Sequence, residues 1–362
     1  MSNPCVSVLI AVYNTQSYLP QCLDSVVSQT FSDFEIICID DGSTDNSYEI
    51  LQQYAGRDMR FSVYRQTNHG VGYTKNLALS LAKGKYVLFL DSDDYIEKNT
   101  LETIVSYAES TDAQIVVFPF EAFYTDELDS DEVVTDISND AVGHVSISSK
   151  DVPSKIFQTT NPAAWNKLWL RSFLENHHID FGSFNYAEDF YMTYWALAVA
   201  ERICFYSDTV LYHYRMSRLG SLSTANKNPL GFIEAYCGLK ENLQTCDVFT
   251  LVEQSYANVV LSGVAYELSR HNDETTRELI TSYLKKEGFV RLGIKKQSEE
   301  YYHVPDYYDL YMDIQYPNTK AQRKFIKRVS STLPFRIAKY CRRNGLSDTI
   351  RHIVSRIHKK NA

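Results

Sequence analysis

The sequence predicts an α/β protein: a doubly wound, mostly parallel sheet, followed by a helical C-terminal region. Three observations carry this. Short apolar runs rich in β-branched residues alternate with helical spacing through the first third of the chain, and repeated βα units build such sheets. The runs are apolar almost throughout, as expected of strands covered on both faces. From about Asn228 onward only helical spacing remains.

Taken in order, Val6 to Tyr13 reads as the first strand. Leu19, Cys22, Leu23, Val26 and Val27 then form one helical stripe, with Pro20 tolerated in its first turn. Glu35 to Ile39 is a second strand, and Asp40-Asp41-Gly42-Ser43-Thr44-Asp45 offers cap residues to a helix with Ile50, Leu51 and Tyr54. A strand at Phe61 to Tyr64, a helix near Tyr73 to Ala82 and a strand at Tyr86 to Leu90 follow, the last running straight into Asp91-Ser92-Asp93-Asp94. A helix at Leu101 to Ala108 and a strand at Ile115 to Phe118 complete the pattern. Residues 124–149 hold seven acidic residues and no Lys or Arg, a solvated excursion at the sheet edge. Helices are expected over 229–246, 249–271 and 273–287, and six tyrosines crowd into 301–316 as amphipathic packing or an interface. The expected organisation is a catalytic domain over 1–227, a helical add-on over 228–318 and a basic helical tail over 319–362.

The 362 residues carry a net charge of −9 that hides an asymmetry: residues 320–362 sum to +12 and the rest to −21. An acidic body repels nucleic acid, whereas a basic tail seeks an anionic membrane surface or packs on protein. No stretch reaches the roughly 18 uncharged apolar residues of a spanning helix. The first Lys or Arg is Arg57, so no signal peptide is expected. Seven scattered cysteines without a CxxC pair suit a reducing cytoplasm better than disulfides or zinc.

Five constellations could carry chemistry. Carboxylates at Asp91, Asp93 and Asp94, around Ser92, repel one another unless neutralised, and oxygen ligands of this type suit Mg²⁺ or Mn²⁺; a loop capping the next helix needs no ion. Asp41, at the end of another strand, can accept from a nucleobase or ribose, while Asp45 caps a helix. In Asn68 to Asn76, two glycines allow close backbone approach and Lys75 can meet a phosphate. Glu188-Asp189 opens an apolar helix, either as a favourable N-terminal charge pair or as a general base. His213, between Tyr212 and Tyr214, is either a metal ligand or a packed, hydrogen-bonded side chain.

Together these segments resemble glycosyltransferase family 2. The resemblance lies in Val6 to Asn14, Ser28-Gln29-Thr30, Glu35 to Ser43, Gly70, Lys75-Asn76, Gly84-Lys85-Tyr86, Leu90 to Asp94, Trp165-Asn166-Lys167 and Glu188-Asp189, spanning about residues 4–215. It implies a glycosyltransferase A-type, Rossmann-like fold and inverting transfer of a hexose or N-acetylhexosamine from a nucleotide-diphosphate sugar, usually a UDP-sugar, to an acceptor hydroxyl. By position, Ala11, Tyr13 and Asp41 would hold the nucleobase, Asp91 and Ser92 would lie along the ribose, and Asp93 would bind Mn²⁺ or Mg²⁺, with His213 as a second candidate ligand. Lys75 stands where Arg is commoner and would offer the donor a point charge rather than a fork. Trp165 and Lys167 would face the acceptor and diphosphate, and Asp189 would be the base with Glu188 beside it. The implied acceptors are a bacterial surface polysaccharide, a lipid-linked glycan or a glycoprotein, met at the cytoplasmic face of the membrane. A homo-oligomer, with the tail joining subunits, stays open. A sugar nucleotidyltransferase would want a Gly-rich loop after the first strand, where Asn14-Thr15-Gln16-Ser17 stands. A non-catalytic glycan-binding module would need neither a metal carboxylate nor a base.

Overall fold

A computed structural model gives the architecture and describes residues 3–124, 132–134, 146–184, 186–216, 228–271 and 273–316. Most of the acidic stretch 124–149, the Ser-rich loop 217–223 and the basic tail 320–362 lie outside the described residues. The chain forms two compact units, one of residues 1–151 and 162–226, the other of 152–161 and 227–362. The passage of 152–161 into the second unit is not announced by the strand and helix pattern.

The first unit is built on a sheet of seven strands. In chain order they are β1 (Val6–Val12), β2 (Phe34–Asp40), β3 (Phe61–Arg65), β4 (Tyr86–Phe89), β6 (Ile115–Val117), β9 (Lys167–Leu170) and β10 (Ile203–Phe205), laid side by side as β10-β6-β9-β4-β1-β2-β3. β1 runs parallel to β2 and β4, β2 to β3, and β10 to β6. β9 alone is reversed, antiparallel to both β4 and β6, so the sheet is mostly parallel, as predicted. A smaller sheet of order β5-β11-β7-β8 uses β5 (Tyr95–Ile96), β7 (Phe120–Tyr124), β8 (Glu132–Val134) and β11 (Tyr212–Met216). Sequence reading did not foresee β9, β10 or this second sheet. β9 is short and reversed, and β5 is a two-residue strand without periodicity.

The helices of this unit are α1 (Leu19–Val27), α2 (Ser47–Ala55), α3 (Val71–Leu81), α4 (Thr100–Thr111), α5 (Arg171–Asn176) and α6 (Glu188–Val199). In α1 the predicted stripe Leu19, Cys22, Leu23 and Val26 is the buried face. β1 is buried along nearly its whole length, so both its faces are covered. Its one polar inward residue, Ser7, is satisfied: its hydroxyl donates to Glu35 at 2.7 Å and accepts from the Gly84 amide at 2.8 Å. Gly84 must be glycine, because a Cβ there would stand 2.5 Å from Ser7 N and 2.7 Å from Val6 C. These are backbone atoms paired in the central strand and cannot retreat. Gly84→Ala is therefore expected to lower stability by about 1–3 kcal/mol, read as a lower urea midpoint at unchanged m-value.

The second unit is helical: α7 (Gly231–Thr245), α8 (Phe249–Arg270), α9 (Glu274–Tyr283), a single π turn at Leu284–Gly288, α10 (Phe289–Leu292) and α11 (Pro305–Gln315). Gly263 on α8 lets Tyr236 of α7 pack closely, and Tyr236 donates its hydroxyl to the Val259 carbonyl at 3.1 Å. Residues 152–161 are pinned to α8 through the Phe157 amide, which donates to Ser255 Oγ at 2.9 Å. The periodic run over 273–287 is thus split: α9, capped by Asp273 accepting from the Thr276 amide, ends in the π turn. Among the described residues the cysteines are free thiols and no helix is long and apolar enough to cross a membrane.

Candidate active site

Because β2 and β4 both run parallel to β1, their carboxyl ends lie along one edge of the sheet. Asp40-Asp41 and Asp91 to Asp94 therefore share that edge. The reversed β9 brings its first residue, Lys167, to the same edge, opposite Val117 at the end of β6. The start of α6 and the start of α3 complete the group, and Gly72 packs against the Glu188 side chain.

Asp40 and Asp41 divide their work. Asp40 is buried, and its Oδ2 pairs with Arg65 at 3.1 Å. Asp41 accepts from the His69 and Gly70 amides, each at 2.9 Å, and from Gln66 Nε2 at 2.8 Å. It thereby folds the loop leading into α3, whose cap Gly70 has φ +92°. Gly42, at φ +76°, is needed because the 66–68 backbone passes against it. Ala11 is half-buried at the end of β1, while Tyr13 is 42% exposed just beyond it.

The Asp91 to Asp94 loop is tied down by β11. Asp94 is buried and accepts from the Tyr212 hydroxyl at 2.6 Å and the Arg215 amide at 2.7 Å. Burial, followed by the charges of Asp93 and Asp91, pushes its carboxyl well above the usual range. Arg215 Nε donates to the Asp93 carbonyl at 2.8 Å and Nη2 to Gln21 at 2.6 Å, with the guanidinium over Tyr18 and Phe123. Arg215 is the bracing residue that sequence reading missed. The signal available was a buried-looking strand carrying a lone cation among tyrosines, and attention went to its neighbour His213 instead. Ser92 is buried within the loop.

Lys75 joins the start of α6 to the loop beyond β4. Its Nζ lies 3.1 Å from Asp189 Oδ1 and 3.6 Å from Asp91 Oδ1. Burial alone would lower its pKa, but Asp189, Asp91 and Glu188 outweigh that and hold it firmly protonated. Glu188 and Asp189 follow Ala187, which takes the left-handed φ of 64° to turn the chain into α6. Glu188 is pushed up to about 7 by burial and by the charge of Asp189, against the pull of Lys75. Asp189 is also raised, chiefly by burial and then by Asp91, with Lys75 and Lys167 pulling the other way.

Trp165, His213 and Lys167 are each held by packing or hydrogen bonds. Trp165 is buried in an aromatic stack, its ring 4.5 Å from Tyr212 and 5.1 Å from Tyr214, edge-on to Phe120. That stack packs the strand that holds Asp94. His213 shows the packed, hydrogen-bonded arrangement: Nε2 is 2.7 Å from Glu97, Nδ1 is 3.4 Å from Glu121, and the ring stacks on Tyr95. A metal there would have to displace one of these carboxylates. Lys167 is fully buried, donating to the Ala163 carbonyl and Asn166 Oδ1, both at 2.8 Å. It acts on Asp189 through its charge.

Among the described residues no group of three or more His, Cys, Asp or Glu is arranged to hold a metal ion. A divalent cation bound through one carboxylate and the oxygens of a diphosphate needs no such cage. The donor set fits that mode: Asp93, Asp91 and buried Asp94 crowd negative charge into one loop, and their mutual repulsion shows in the raised Asp94.

The strand-terminal Asp-rich loop and the carboxylates at the start of α6 thus come to one edge of the sheet. Residues 7–165 match the model of glycosyl transferase family 2. EpsH of Bacillus subtilis is 34% identical over 228 residues, covering 60% of this chain and 62% of EpsH. The poly(ribitol-phosphate) beta-glucosyltransferase of Bacillus spizizenii is 29% identical over 340 residues, covering 89% of this chain and 48% of that protein. This chain thus spans less than two thirds of either relative. The crystal structure of Staphylococcus aureus TarS 1–349 in complex with UDP-GlcNAc shares the fold, with a TM-score of 0.59 at 19% identity over 88% of this chain and 93% of that one.

Proposed function

We propose that this protein is an inverting glycosyltransferase. It moves a hexose or N-acetylhexosamine from a UDP-sugar to a hydroxyl of a bacterial surface glycan, with lipid-linked glycans and glycoproteins as the other acceptors of the class. The observation that carries this is that Asp91, just beyond β4, and Asp189, at the start of α6, are brought together by pairing with one lysine, Lys75. The names of relatives that glycosylate poly(ribitol-phosphate) support a polymeric polyol-phosphate acceptor.

The chemistry follows from the groups in place. Asp41 and the loop it folds, with Ala11 and Tyr13, would seat the nucleobase. Asp91 and Ser92 would lie along the ribose. Asp93 would hold Mn²⁺ or Mg²⁺, which when bound takes up negative charge on the departing diphosphate. Asp189 accepts the proton of the attacking hydroxyl, from the side opposite the leaving group, which is the geometry inversion demands. Lys167, too deeply buried to touch an acceptor, keeps positive charge behind Asp189. Trp165 supports the site by packing.

The test is thermal. UDP should raise the melting temperature in the presence of Mn²⁺ or Mg²⁺ and much less without either. A metal-independent shift would favour a plain nucleotide-binding module. Release of UDP across a panel of UDP-hexoses and UDP-N-acetylhexosamines then names the donor.

The basic segment 320–362 would hold the enzyme on the anionic inner leaflet, each surface cation adding about 1 kcal/mol. The full chain is expected to bind anionic vesicles at low salt and to leave them at high salt, while a chain ending at Asn318 does not bind. A change of oligomeric mass on truncation, without any vesicle binding, would make the segment an assembly element instead.

A further inference from the structure

The two adjacent carboxylates at the start of α6 are not equivalent, and the difference comes from α3. Lys75 is almost wholly buried, with its ammonium 5.2 Å over the Phe181 ring. Its neighbour Asn76 fixes the segment carrying that ring, donating to the Gly182 carbonyl at 3.2 Å and accepting from the Phe181 amide at 2.9 Å. The lysine therefore has little room to swing. Its ion pairs are with Asp189 and Asp91, and Glu188, although next in sequence, is not among them.

We propose that Lys75 is a positioning residue that selects Asp189 rather than Glu188 as the base, by pairing with Asp189 Oδ1 and leaving Oδ2 turned to the acceptor. This rests on the reading above that transfer uses a carboxylate at the start of α6. Four charged groups face Asp189: Lys75 from α3, Asp91 beyond β4, Lys167 from β9 and Glu188 from its own helix. Among the described residues, Lys75 alone makes an ion pair with it. The paired ammonium favours the ionised form of Asp189 against the burial that raises it, whereas Glu188 is pushed up to about 7 by burial and by the charge of Asp189. The pairing trades some basicity for a carboxylate held in one orientation. Through Asp91 the same cation touches the donor side, so the base is held relative to the sugar nucleotide rather than to α6 alone.

The experiment is a carbon-13 carboxyl titration of the full chain labelled at aspartate Cγ. The Asp189 signal is assigned by its disappearance in Asp189→Asn. Its midpoint should rise by at least about one pH unit in Lys75→Met, the usual effect of removing an adjacent opposite charge, and return towards the wild-type value in Lys75→Arg. A midpoint unmoved in Lys75→Met, or moved equally in Lys75→Arg, overturns the proposal. Should Lys75→Met fail to fold, the nitrogen-15 shift of Lys75 Nζ in the unaltered chain decides: it follows the Asp189 titration if they are paired and ignores it if they are not. UDP release by Asp189→Asn separates the two readings. If that variant keeps full turnover while the titration moves as expected, the base assignment falls and the pairing stands.

Discussion

Asp189→Asn is expected to lose glycosyl transfer by about 10²–10⁴-fold, the usual worth of a positioned general base, while UDP still binds. The amide keeps the shape of the carboxylate and can still meet Lys75 through its oxygen, so α6 and α3 stay in place. What it lacks is the capacity to take a proton from the acceptor hydroxyl. In the proposed reading donor binding uses groups at the ends of β1, β2 and β4, and the ion pair of Asp189 is with Lys75 instead. Single-turnover transfer, set beside calorimetry of UDP binding, checks both halves. Near-normal turnover would move the base to Glu188, its neighbour in α6, whose carboxyl is pushed up to about 7 by burial and by the charge of Asp189.

Asp93→Ala is expected to abolish transfer and to remove the metal dependence of UDP binding while the protein remains folded. The Asp91 to Asp94 loop owes its shape to Asp94 and to the Asp93 carbonyl, held by Tyr212 and Arg215. The Asp93 carboxylate is not needed for those contacts, and removing it relieves repulsion on Asp94. The far-UV spectrum of the variant should therefore match that of the unaltered protein. Calorimetry with UDP and Mn²⁺ reads the other half, and undiminished affinity would sink the metal assignment.

The parallel half of the sheet was legible because its strands are covered on both faces and its helices show one clean stripe each. The Asp-rich loops were legible because strand ends in such sheets share an edge. What could not be read was whatever depends on partners distant in sequence. Asp41 reads as a ligand-facing carboxylate, and the three donors from 66–70 that it also accepts from have no signal in its own segment. Trp165 sits in a motif, and its stacking on Tyr212 and Tyr214, from a strand some fifty residues on, has no local signal either. Lys75 was read as a phosphate contact, and its pairing with Asp189, over a hundred residues away, has no local signature.

The reversed strand β9 has a consequence for the order in which the molecule comes together. β4 and β6 each pair with β9 and not with each other, so this four-residue strand alone stitches the two halves of the large sheet. Within residues 6–89, β1 pairs with β2 and β4 and β2 pairs with β3, so these four strands need no later part of the chain to pair with one another. The seam between β4 and β6 waits for residues 167–170, and long-range pairing of this kind is slow to form. Lys167 is part of that seam and Asp189 follows it in the chain. The strand ends carrying Asp40-Asp41 therefore precede the seam in the chain, whereas the Asp91 to Asp94 loop is tied down only when β11 arrives with Tyr212 and Arg215, so one edge of the sheet is completed in three separate instalments.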